Sequence, residues 1–116
     1  MALGVSMHIK NDILFVRFKG ELDENHIKDL RTRLINYIQL HSIKHLVFNF
    51  EYLNFIDSSG IGLIIGRYQQ VHEMGGDVTL VYLNERIERI VRVSGLLKIC
   101  KVRDSEESVL LFEGVK

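Results

Sequence analysis

Apolar residues Ile27, Leu30, Leu34 and Ile38 fall three or four positions apart, the spacing that puts them on one helix face. Asp23, just ahead of them, carries the side-chain acceptor needed to cap that helix. Upstream, Met7 to Lys10 and Ile13 to Phe18 read as two strands. Asn11-Asp12 between them tolerates the left-handed backbone of a tight hairpin, and the second run stops at Gly20. Leu46 to Phe50 alternates, with Leu46, Phe48 and Phe50 on one face, and predicts a strand. It leads into Asp57-Ser58-Ser59-Gly60. Beyond that turn, Ile61, Ile64, Ile65, Tyr68 and Val71 form a second helical stripe, which ends at Gly75-Gly76.

Val78 to Leu83 is the next predicted strand, and Asn84 can cap a third helix with Ile87, Ile90 and Val91 inward. Glu85–Arg89 and Glu88–Arg92 are favourable i,i+4 pairs on its solvated face, and Gly95 ends it. A short strand is expected around Cys100 to Val102. Asp104, with Glu107 three residues on, resembles a capping box for a last helix. Strands and helices alternate after the hairpin, which predicts an α/β fold. We expect one domain over residues 1–116, a mixed, mostly parallel sheet with an antiparallel first pair and about four packed helices. In such sheets function collects in the loops after the strands' C-terminal ends. Here those loops are Gly20 to Glu24 and Phe55 to Gly62.

The composition fits one globular domain, at 116 residues, 47% hydrophobic and 26% charged. Fifteen basic and 15 acidic residues cancel, which argues against a nucleic-acid partner and against attachment to an anionic membrane. Cys100 is the sole cysteine, so no internal disulfide forms; among apolar neighbours it reads as a buried structural thiol. With no secretory signal pattern and no apolar run near 20 residues, a cytoplasmic location is expected.

Ser58 and Ser59 stand where a strand feeds a helix. A helix N-terminus welcomes an anion through its free N–H groups and dipole. Gly60 and Gly62 remove side-chain bulk, so another protein's active site could reach the hydroxyl. On residues alone, two readings stay open: a plain helix cap or a functional serine.

Other chemistry fits less well. A serine hydrolase needs a base and Gly-x-Ser-x-Gly, whereas the order here is Asp-Ser-Ser-Gly. A phosphate-receiver site could use Asp57 with Glu21 and Asp23 as Mg²⁺ ligands, but Tyr82-Leu83-Asn84 lacks the lysine it needs. Nucleotide binding through Gly60-x-Gly62 lacks a following lysine. The five histidines, His8, His26, His41, His45 and His72, converge with no cysteine and are expected as solvated side chains rather than a metal site. No cofactor and no enzymatic activity are expected, and Tyr68 and Phe55 read as core.

Asp57-Ser58-Ser59-Gly60-Ile61-Gly62, preceded by Phe55-Ile56, resembles the phosphorylation loop of the STAS-domain anti-sigma factor antagonists. Gly20-Glu21-Leu22-Asp23 is similar to that family's second-strand exit. Gly66-Arg67-Tyr68 with Gly75-Gly76 is similar to its second helix and stop, and Ser94-Gly95-Leu96 to the end of its third helix. The matches run in order over nearly the whole chain. The resemblance implies a partner switch. The unphosphorylated protein binds an anti-sigma factor that is also a serine kinase, with its bound ATP or ADP, and frees the sporulation sigma factor F. Phosphorylation of Ser58 ends binding, and a serine phosphatase resets it. It also implies Ser59 as the helix cap, and a partner surface made of Glu21, Asp23, Asp57, Ser58, Ser59, Gly60, Ile61 and Gly62. A general-stress sigma pathway is the alternative setting.

Overall fold

The computed structural model describes residues 2–114. The chain runs β1 (Leu3–Lys10), β2 (Ile13–Leu22), α1 (Glu24–Leu40), β3 (His45–Ile56), α2 (Ser58–Glu73), β4 (Asp77–Val81), α3 (Glu85–Ser94), β5 (Lys101–Arg103) and α4 (Glu106–Val109). A 3₁₀ turn, Leu96–Lys98, precedes β5, and a π turn, Leu110–Gly114, follows α4. One five-stranded sheet has the order β1-β2-β3-β4-β5. The first pair is antiparallel and the others are parallel. The expected α/β architecture is therefore the observed one.

The hairpin turn places Asn11 and Asp12 at φ of 53° and 65°, the mirror-image geometry that matches strand twist. The predicted stripe of α1, Ile27, Leu30, Leu34 and Ile38, is wholly buried. With Ile61 and Ile64 of α2 and Ile87 and Val91 of α3 it covers one sheet face. Phe18 stacks on Phe48 in that layer, with ring centroids 5.6 Å apart. Gly95 takes φ 87°, a left-handed stop that a side chain resists.

β3 differs most from expectation. It extends to Ile56, and all five residues from Leu46 to Phe50 are buried. Leu46, Phe48 and Phe50 face the main core, while Val47 packs on the opposite face with Ile13, Phe15, Val81 and Val109. Asn49 is also buried on the reverse face, and its Nδ2 donates to Glu106 Oε2 at 2.7 Å. Arg17 completes the group with bonds to both Glu106 oxygens, at 2.9 and 2.8 Å. This polar anchor ties α4 to the reverse face.

Further boundaries are corrected, for β1 begins at Leu3 rather than Met7, and β2 runs through Gly20 to Leu22. β4 stops at Val81 because Tyr82 turns to φ 58°, which breaks the ladder. Cys100 precedes β5; it is buried as expected, and burial pushes its thiol up to about 12. The cap of α4 is a Ser105–Ser108 box and not Asp104–Glu107, since Ser105 is the residue with extended backbone at the helix start.

Asp77, at the opening of β4, accepts hydrogen bonds from His45 at 2.9 Å and Lys101 at 2.7 Å, so His45 is no merely solvated side chain. Burial raises the Asp77 carboxyl, but the bonds from His45 and Lys101 outweigh it and hold the group below its usual range. A carboxylate with a depressed folded pKa adds stability above its unfolded pKa and loses it as pH falls through the folded value. Asp77→Asn should therefore cost up to about 1 kcal/mol near neutrality, with solvent screening limiting the loss. The gap to wild type should begin to shrink as pH falls past the ordinary carboxylate value, about 4, and vanish below the depressed folded value. Urea denaturation at pH 7 and pH 3 checks this; an equal gap at both would refute it.

Candidate functional site

Parallel register sets the site. Leu22 at the end of β2 pairs with Ile56 at the end of β3, so both strands release their chains at one level. The two exits are then stitched together: the Asp57 N–H donates to the Leu22 carbonyl, and the Glu24 N–H donates to Asp57 Oδ2, both at 3.3 Å. Both expected loops, Gly20 to Glu24 and Phe55 to Gly62, meet here.

Each exit starts a helix with an aspartate cap. Asp23 Oδ1 accepts from the Asn25 N–H at 3.1 Å and lies 2.7 Å from His26 Nδ1. Asp57 Oδ1 accepts from the N–H groups of Ser59, at 2.9 Å, and Gly60, at 3.1 Å. This corrects the expectation of Ser59 as cap. Asp57 has the extended backbone of a cap, whereas Ser58 and Ser59 are already helical. It also changes the electrostatics, because two first-turn N–H groups expected to be free for an anion are held by Asp57.

Ser58 is exposed and is the first helical residue, carried on a turn anchored at Leu22 and Glu24. Glu21, Asp23, Asp57 and Ser59 are half-buried around it, and Gly62 is exposed with open space beside it. Gly60 and Ile61 are buried, so they shape the turn from below and present little contact surface. The space left by Gly60 is filled from within: a Cβ there would lie 2.6 Å from the Leu22 carbonyl oxygen. Phe55, read as core, is instead 44% exposed, and it pairs with Glu21 across the β2–β3 ladder. Alternation alone would have put Phe55 on the face of buried Leu53; the register shifts of the β2–β3 ladder break that alternation and turn it outward. Tyr68 packs against the core as expected. Among the described residues, no group of three or more His, Cys, Asp or Glu could hold a metal ion. No helix there is long and apolar enough to cross a membrane.

Residues 5–109 match the STAS domain. The chain belongs to the STAS family, and its kin there are anti-sigma factor antagonists. It is 34% identical over 110 residues to the anti-sigma F factor antagonist of Paenibacillus polymyxa, covering 95% of this chain and 94% of that one. The unphosphorylated anti-sigma factor antagonist SpoIIAA shares the fold with a TM-score of 0.77 at 23% identity, over 98% of this chain and 100% of that one. Phosphorylated SpoIIAA of Bacillus gives 0.76 at 24%, over 95% and 100%.

Proposed function

We propose that this chain is an anti-sigma factor antagonist of the sporulation sigma F type, acting as a partner switch in the cytoplasm. Unphosphorylated, it binds an anti-sigma factor that is also a serine kinase, and the sigma factor is freed. The kinase moves the γ-phosphoryl of ATP onto Ser58: the Oγ–P bond forms, the bond to ADP breaks, and the hydroxyl proton leaves. A serine phosphatase reverses the mark. The chain has no enzymatic role of its own and serves as ligand and substrate, as one domain over residues 1–116.

The observation that carries this reading is the exposed Ser58 on a doubly anchored, acid-rimmed turn, in a chain 34% identical to an anti-sigma F factor antagonist. Glu21, Asp23 and Asp57 suit a cationic groove on the partner and would fix its orientation. Ser58, Ser59 and Gly62 add contact surface, with Gly60 and Ile61 beneath. Anchoring matters because an acceptor hydroxyl must enter another protein's active site without first ordering its own loop.

Asp57 as an acyl-phosphate acceptor is the competing chemistry. Its carboxylate already receives three backbone N–H groups, from Glu24, Ser59 and Gly60, which disfavours it as a nucleophile. Incubation with the same organism's anti-sigma F factor and ATP, then mass-spectrometric mapping, tests the assignment. Acid-stable phosphate on Ser58 alone is expected. Phosphate on Ser59, or acid-labile phosphate on Asp57, would refute it.

A further inference from the structure

Arg67 lies on the buried stripe of α2, between Ile64 and Val71, and is 8% exposed. Its Nε donates to Gln70 Oε1 at 3.0 Å, and Gln70 Nε2 donates to the Ile35 carbonyl of α1 at 3.1 Å. That relay holds the guanidinium in the seam between the two helices. Its Nη1 is buried and has no acceptor among the described residues. Burial and then the like charge of Arg31 lower its pKa. Arginine does not shed its proton in proteins, so a full positive charge stays in the seam.

Buried charges are ordinarily paired, and one left unpaired costs stability. A local rule broken in this way is a mark of function. We propose that the α1–α2 seam, with Arg67 inside and the exposed Arg31 beside it, receives a carboxylate side chain of the protein partner. Two cations close together select an acid, and a planar guanidinium suits a carboxylate. The inference rests on the partner-switch reading and extends the footprint beyond the acidic rim. Arg67 lies nine residues past Ser58, roughly 13 Å along the axis and about half a turn around it, so a partner must wrap the N-terminal end of α2 to meet both. An interface burying about 800 Å² per partner spans that distance. The partner would then present a basic groove to the Ser58 turn and an acid to the seam, a two-point match that fixes its orientation.

A purely structural role for Arg67, as a bolt between helices, makes the opposite forecast for stability. The test measures Arg67→Met and Arg31→Gln by binding to the anti-sigma F factor and by melting, with and without citrate at fixed ionic strength. Arg67→Met should melt at or above the wild-type temperature yet bind at least tenfold more weakly. Arg31→Gln, at an exposed position, should keep its melting temperature and lose less affinity, with high salt erasing its deficit. Citrate should raise the melting temperature of the wild type more than that of Arg67→Met. Wild-type affinity in both variants, or a lower-melting Arg67→Met with no citrate difference, overturns the seam. If Arg67→Met fails to fold, wild-type affinity and citrate response in Arg31→Gln overturn it equally. A citrate difference without any binding of the anti-sigma factor by wild type would sink the partner reading and leave the seam standing.

Discussion

Phosphorylation of Ser58 is expected to weaken binding to the anti-sigma factor at least tenfold while leaving the fold unchanged. The group brings about −1.5 to −2 charges to a turn already ringed by Glu21, Asp23 and Asp57. At the helix N-terminus it gains a few tenths to about 1 kcal/mol from the dipole. Asp57 has taken the Ser59 and Gly60 N–H groups, so that gain stays at the low end. Repulsion from the acidic rim is of similar size and is screened by salt. Net stability should move by less than ~1 kcal/mol, small against the ~5–15 kcal/mol that holds a domain. Binding is another matter, because the partner must cover the phosphate and strip its water in a groove matched to the unphosphorylated turn, where the added bulk leaves the new charge incompletely paired. A tenfold loss is about 1.4 kcal/mol, well below that desolvation penalty.

Ser58→Ala should bind like the unphosphorylated protein and never switch off, and Ser58→Asp should imitate phosphate only in part. Calorimetric binding and melting curves of both forms check this. A large fall in melting temperature on phosphorylation, or backbone shifts spread far from residues 55–65, would mean a conformational switch.

Gly60→Ala is expected to be the most damaging single substitution at the site. Its Cβ would fall 2.6 Å from the Leu22 carbonyl oxygen, 2.8 Å from Ile56 Cγ1 and 3.0 Å from Leu22 Cγ. Leu22 and Ile56 are 0% and 2% exposed, so neither can swing aside. Overpacking of this kind costs about 1–3 kcal/mol. It acts at the β2–α2 contact that carries the Asp57–Leu22 hydrogen bond, so the acceptor turn should shift too. Gly62→Ala is the internal control, since open space surrounds that position. There the helix should gain about 0.5–1 kcal/mol over glycine. Urea denaturation of both variants gives the comparison, and a Gly60→Ala protein as stable as wild type would refute the close approach.

The alternating strands, the helical stripes and the capping residues Asp23 and Asn84 were legible because each depends on neighbours within one helical turn or hairpin. The same holds for the strand-to-helix turn at Asp57-Ser58-Ser59-Gly60, where α2 starts. What local spacing cannot carry is pairing between distant segments. The burial of Val47 and Asn49 on the reverse face follows from α4 docking there through Arg17 and Glu106, 89 residues apart in the chain. Asp57 also ties the two exits together through the Glu24 N–H, because parallel register sets the two strand ends side by side. Gly60 proved a packing necessity for the same reason, at the Leu22 backbone. Arg67 shows the boundary between the two. It sits three after Ile64 and four before Val71 on the buried face of α2, a position that the apolar stripe read from the sequence did not include. That its Nη1 would lie between two helices with no acceptor among the described residues was decided only when α1 packed beside α2, since burial and partners belong to the assembled fold.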